Sequence, residues 1–304
     1  MRIITPMAGI CSSAYVETGN YDSAVAQADR MVAIRPDLTS YSRISYLREI
    51  FGNYKSAIEA MTMATEAGGP GDEHTEWTRV QLGSLYEKTG DYKKAEYLYN
   101  LSLSMRPDYP YALAGLARVA VAANDTKKAI ELYKKADSLI NDNSMKEELV
   151  DLYRQSGQNE KADETANKLI EDLSKDAQAG DEDQAAGHYA DRELAFAYLK
   201  VNNTDKALEH AMLEYNRRPE NIDVNETVAW VYYNKGEYDK AVPYVEAALR
   251  TKSKNPVLLS RAGLIYYKAG EKQLAKSILQ EASVAKSYVG YSLKEEASSA
   301  MLRL

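Results

Sequence analysis

The chain has 304 residues, 45% hydrophobic and 27% charged, with 45 acidic against 38 basic side chains and a formal net charge of −7. That balance excludes wholesale disorder, and the lack of a basic block argues against nucleic acid, whose phosphates need clustered Lys and Arg. A single cysteine excludes an internal disulfide framework and a cysteine-rich zinc module, while 24 tyrosines beside 2 phenylalanines and 2 tryptophans mark a repeated need for a ring with a polar tip.

From the N-terminus, Met1-Arg2-Ile3-Ile4-Thr5-Pro6 lacks the apolar core and cleavage site of a signal peptide, and helical patterning begins near Ala8. No window reaches the roughly 18 apolar residues of a membrane span. On the sequence as given a cytoplasmic location is expected, and a periplasmic or exported one if an N-terminal signal has been trimmed. A short motif then recurs: Gly19-Asn20-Tyr21-Asp22-Ser23-Ala24, Gly52 to Ala57, Gly90 to Ala95, Asn124 to Ala129, Gly157 to Ala162, Asn202 to Ala207, Gly236 to Ala241 and Gly270 to Ala275. The closing alanines are spaced 33, 38, 34, 33, 45, 34 and 34 residues apart, so there are eight copies with a period near 34.

Each copy reads as two helices. The first carries a small residue with a tyrosine three positions on, as in Gly83 and Tyr86, Ala195 and Tyr198, Ala229 and Tyr232, or Gly263 and Tyr266. The small residue admits a neighbouring helix and the ring fills the gap beyond it. Gly or Asn ends this helix because both tolerate the left-handed C-cap. The second helix places its alanine in the first turns with partners four and seven residues later, as in Ala129, Tyr133 and Ala136. Pro36, Pro107 and Pro219 stop it before the next copy.

With these residues the chain resembles the tetratricopeptide repeat (TPR) proteins over roughly residues 5 to 287, and more loosely a group of bacterial TPR proteins of unassigned activity. The resemblance implies an all-α fold: a right-handed α-solenoid of about eight helix-turn-helix repeats with a C-terminal capping helix. The expected division is repeats 1–5 over 5–175, with an enlarged loop at 66–75; a seam with lengthened helices at 176–187; repeats 6–8 over 188–287; and a capping helix over 288–304. Gly180-Asp181 is the expected helix stop and new N-cap in the seam. Met301, Leu302 and Leu304 are expected to cover the last repeat. Arg48 and Ala120 depart from the tyrosine slot, and Cys11-Ser12 stands where Leu-Gly is usual.

Catalytic and metal signatures are absent from the pattern. His74, His188 and His210 lack paired ligand spacing; His210 reads as a packing or surface residue, and His188 as a surface residue with a minor prospect of contacting a ligand. Gly68-Gly69-Pro70-Gly71 lacks the Lys-Ser/Thr of a phosphate loop, and Cys11 falls on the expected buried stripe of the first helix. No enzyme activity, cofactor or metal is expected.

The resemblance places the first helices on a concave wall. Positions one and four residues after the small slot, together with residues near the helix starts, give a candidate partner-binding strip: Tyr46, Trp77, Tyr111, Arg118, Arg154, Tyr189, Arg192, Phe196, Trp230, Tyr233, Leu264 and Tyr267. Glu147 and Asp151 add charge in the middle copies. The expected function is a non-enzymatic scaffold binding a partner protein or peptide on this surface. The alternatives are a substrate-recruiting or regulatory TPR domain of a longer enzyme or secretion or assembly component, and a small-ligand pocket inside the superhelix. The Lys and Asn of a chaperone carboxylate clamp are missing, since Gly9, Ser13, Ser42 and Tyr46 occupy those positions.

Overall fold

The computed structural model describes residues 4–140, 142–182, 189–284, 287 and 289–304, with side chains from residue 9 onward except at 179–182. Eight antiparallel helix pairs follow one another: α1 (Ile4–Glu17) with α2 (Tyr21–Ile34), α3 (Leu38–Ile50) with α4 (Tyr54–Glu66), α5 (Glu73–Lys88) with α6 (Tyr92–Met105), and α7 (Pro110–Ala122) with α8 (Thr126–Leu139). Then come α9 (Asn143–Gln155) with α10 (Asn159–Glu182), α11 (Asp191–Lys200) with α12 (Thr204–Arg217), α13 (Ile222–Asn234) with α14 (Tyr238–Leu249), and α15 (Pro256–Lys268) with α16 (Lys272–Val284). A last helix, α17 (Tyr291–Arg303), follows. Each helix packs mainly on its chain neighbours, which makes the array an α-solenoid.

The repeated motif is the turn within each pair. Its first residue has a positive φ in all eight copies, Gly in six and Asn in two, with Asn124 at 61° and Asn202 at 57°. That left-handed step lets the next N–H reach back to the first helix, as Asp125 N does to Ala120 O at 2.9 Å. Asn20, Asn53, Asp91, Asp125 and Asn203 then cap the second helix, their side chains accepting from the N–H three residues on. The eight closing alanines, from Ala24 to Ala275, are all fully buried. In the first two pairs serine takes the small slot, and Ser12 and Ser45 donate to the carbonyls of Ala24 and Ala57 at 3.2 and 2.7 Å. Tyr99 is fully buried against Gly83 and Gly115, where an added Cβ would stand 2.5 Å from its ring in either case.

Several expectations change. Cys11 is exposed, because its neighbour Ser12 takes the buried position on α1. The extra residues after Ala162 enter one helix: α10 runs 24 residues through Gly180-Asp181, so neither is a stop or an N-cap, and α11 starts at Asp191 after Ala190. All of 183–188, His188 included, and Tyr288 lie outside the described residues. Within α17, Leu293 and Ala300 are the buried residues while Leu302 is 90% exposed, since α17 packs chiefly on α15 rather than α16. The loop before α5 is pinned to its own array: Gly71 N donates to Glu76 Oε1 at 3.1 Å, and Arg106 donates to Gly71 O at 3.2 Å and pairs with Glu73 at 2.9 Å.

The solenoid curls until its first two repeats meet its last three. Ile222 N donates to Tyr21 Oη at 2.9 Å, Asn221 reaches the carbonyls of Val16 and Glu17, and Arg218 pairs with Glu17. Ile222 joins the apolar cluster of Val16, Tyr21, Leu47 and Ile50. The contact is close enough that a Cβ on Gly19 would stand 2.1 Å from the Glu220 carbonyl oxygen. On the other edge Ser287 Oγ donates to Lys88 O at 2.6 Å. These contacts bring the two ends of the array together across the groove.

Candidate functional site

The first helices α5, α7, α9, α11, α13 and α15 face this interior, which holds three adjoining cavities of about 380, 250 and 300 Å³. Glu147 lines all three. Of the residues expected on the inner wall, Tyr111, Arg118, Arg154, Phe196 and Trp230 line them. Tyr46 and Trp77 are exposed at 39% and 42%. Tyr189 carries the Arg217 guanidinium 4.2 Å above its ring, and Tyr267 packs half-buried against the C-terminal core.

Leu264 and Tyr233 do not form accessible surface. Leu264 is fully buried and Tyr233 7% exposed, both in one core cluster with Leu293 and Ala300 of α17. The C-terminal helix covers the strip at the last repeats, and Tyr233 Oη donates to Glu296 on it. Burial first, then the adjacent Glu296 carboxylate, raises the Tyr233 pKa, so the hydroxyl stays a donor.

The remaining rings form a ladder with arginines between them. Arg192 lies 5.5 Å from the Phe196 ring, Arg261 lies 4.9 Å from Phe196 and 5.1 Å from Trp230, and Trp230 stacks on Tyr233 at 4.7 Å and 7°. Arg261 also pairs with Glu226 at 2.8 Å, and Arg192 Nε donates to Thr227 Oγ1 at 3.2 Å. Burial works against the Arg192 charge, but Asp223 and Glu226 outweigh it and its pKa stands above the ordinary guanidinium value. This ladder is largely satisfied from within the chain, although Arg261 Nε is buried without an acceptor among the described residues.

The opposite wall is charged. Arg118 Nε donates to Glu87 Oε2 at 2.8 Å, and its NH2 group donates to Tyr99 Oη at 3.3 Å. Lys200 bridges Asp151 at 2.5 Å and Glu147 at 3.9 Å, and these carboxylates lift its pKa against burial. Glu148, facing two of the cavities, forms no hydrogen bond or ion pair among the described residues. Burial first, then Glu147 and Asp151, pushes its carboxyl up to about 7, against the pull of Lys200 and Arg118.

Glu148, Lys200 and Arg261 were absent from the expected strip. The signal is in the sequence: Glu147 and Glu148 stand four and three residues before Asp151, Arg261 three before Leu264, and Lys200 four after Phe196. Residues so spaced share a helix face, so the inner stripe extends one turn either way from the positions chosen. Away from the interior, His210 is structural: it stacks on Tyr198 with centroids 5.4 Å apart and meets Asp191 at 2.6 Å. Burial opposes the Asp191 charge, yet His210 and Arg217 hold its pKa below the ordinary value.

Paired helices, left-handed Gly or Asn turns and an inner wall of first helices define a helical-repeat interaction scaffold. Three tetratricopeptide repeat family models match the chain, over residues 38–108, 86–145 and 227–288, and the chain belongs to the tetratricopeptide repeat family. No curated protein matches it. Among solved structures it is similar to a tetratricopeptide repeat protein from Parabacteroides merdae ATCC 43184, with 20% identity, 87% of this chain and 98% of that chain covered, and a TM-score of 0.48. It is also similar to a chain of the APC/C hetero-tetramer Cut9–Hcn1, with 16% identity, 95% of this chain covered and a TM-score of 0.47; there it spans about half, 53%, of the other chain. Repeats of this family are generally non-catalytic modules that bind proteins. No described helix is long and apolar enough to cross a membrane.

Proposed function

We propose that this chain is a non-enzymatic scaffold that holds an extended segment of a partner protein in the interior of its superhelical turn. One observation carries this: the three adjoining cavities run along the first helices from α5 to α15, lined by polar and charged groups with Tyr111, Phe196 and Trp230 among them. Their individual volumes, at or near the lower end of the roughly 300–1,000 Å³ of ligand sites, suit side chains entering one after another rather than a folded domain. Partner anchors of this kind are commonly aromatic or Arg.

The test is positional. A photo-crosslinking residue at Ser84 or Gln155, both facing the interior, is expected to trap the partner, while one at Lys128 on the exposed face of α8 is expected not to. Equal trapping at Lys128, or none at Ser84 and Gln155 when Lys128 does trap, would contradict interior binding.

A further inference from the structure

The turn that recurs eight times meets different surroundings along the array. At Gly157, Gly236 and Gly270 an added Cβ would find nothing within 4 Å. At Gly19 it would collide with the Glu220 carbonyl oxygen, and at Gly52 it would stand 2.8 Å from the Lys252 carbonyl oxygen. The first two turns therefore lie directly against backbone of repeats 6–8.

The surface they meet is mixed in character. Ile222 is the one residue from the far side in the described apolar cluster of Val16, Tyr21, Leu47 and Ile50. Polar contacts surround it. Asn221 Nδ2 donates to the carbonyls of Val16 and Glu17, and Arg218 pairs with Glu17. Arg250 donates to Gly19 O at 2.8 Å and holds its guanidinium 5.3 Å from the Tyr21 ring. A single apolar insertion within a polar rim resembles the interfaces between domains that move against each other. In a solenoid each repeat packs on its neighbours, so small rotations add up and the two ends can part without breaking any repeat.

Parting would undo the third cavity. Ser84, Glu87 and Lys88 of α5 form one side of it, and Pro256, Val257 and Arg261 of α15 form another. These helices belong to repeats 3 and 8, and they share a cavity only because the array curls. We propose that the contact between repeats 1–2 and repeats 6–8 is a reversible clasp that opens as a unit, and that its closing brings α5 and α15 to the two sides of one cavity. The clasp stands apart from interior binding. Where that reading holds, a partner touching both walls favours the closed form, and closure favours the partner by the same factor.

The experiment uses the turn itself. Asn stands at the same left-handed position in repeats 4 and 6, as Asn124 and Asn202. Gly19→Asn thus keeps the turn and adds a side chain at the clasp, while Gly157→Asn adds one in open space. Both are made in the full chain with Cys11→Ser, and distances are read by double electron–electron resonance between spin-labelled cysteines at exposed positions of the second helices. One pair, Asp29→Cys with Glu246→Cys, spans the clasp; the other, Glu96→Cys with Gln280→Cys, reports on the repeats of α5 and α15. In Gly19→Asn a longer distance is expected to become the major population in both pairs, and Gly157→Asn is expected to match the parent. An unchanged distance across the clasp, lengthening of the clasp pair alone, or equal lengthening in Gly157→Asn overturns the proposal. If Gly19→Asn loses helicity, the parent decides: urea below the loss of helicity is expected to raise the longer population in both pairs together. A single unshifted distance up to global unfolding overturns the clasp.

Discussion

The two halves of the inner wall are built from the same repeat and differ in what they leave unsatisfied. Around α11, α13 and α15, rings and guanidiniums alternate, each arginine has an acceptor although Arg261 Nε is buried without one among the described residues, and α17 covers Tyr233 and Leu264. Around α5, α7 and α9 the wall is charged, Arg118 is held by Glu87 and Tyr99, and Glu148 faces open cavity with no hydrogen bond or ion pair among the described residues. Aromatic residues in a groove are thus not by themselves vacancies for a ligand.

This contrast can be broken from either side. Arg118→Met keeps most of the volume but leaves Glu87 with no cation. It is expected to cost about 3 kcal/mol in urea unfolding, and Glu87→Gln in the same chain should recover most of it. A loss that the second substitution does not recover would mean that Arg118 acts by packing. On the ladder, Trp230→Ala removes a half-buried ring between Arg261 and Tyr233, with an expected cost of about 2 kcal/mol. A neutral result there would show the ladder to be loose surface and restore it as a docking site. Tyr233→Phe takes away only the hydroxyl that holds Glu296, costing about 1 kcal/mol and raising hydrogen exchange in α17 alone.

Much of the fold was legible because the motif is a backbone requirement: Gly or Asn at the left-handed turn, Asn or Asp at the cap, and alanine where two helices touch. The inner stripe was legible in phase but not in extent, and Glu148, Lys200 and Arg261 were missed for that reason. Leu264 was placed on the wrong side because α17 covers it, and Cys11 because its neighbour Ser12 takes the buried position on α1. Closure of the superhelix had no local signal, since Tyr21 and Ile222 meet across 201 residues of accumulated curvature.

Glu148 faces the interior with no hydrogen bond or ion pair among the described residues. Its folded carboxyl titrates near 7 against 4.5 for a free one, so the folded state prefers it protonated. The stability this supplies is present below about pH 4.5 and is lost as the pH rises toward 7. The most direct measurement compares denaturant unfolding of wild type and Glu148→Gln at pH 8 and pH 5. The variant is predicted to be more stable by about 2 kcal/mol at pH 8, with the difference shrinking strongly at pH 5. A variant less stable than wild type at pH 8 would show that the carboxylate already has its partner and would contradict the account.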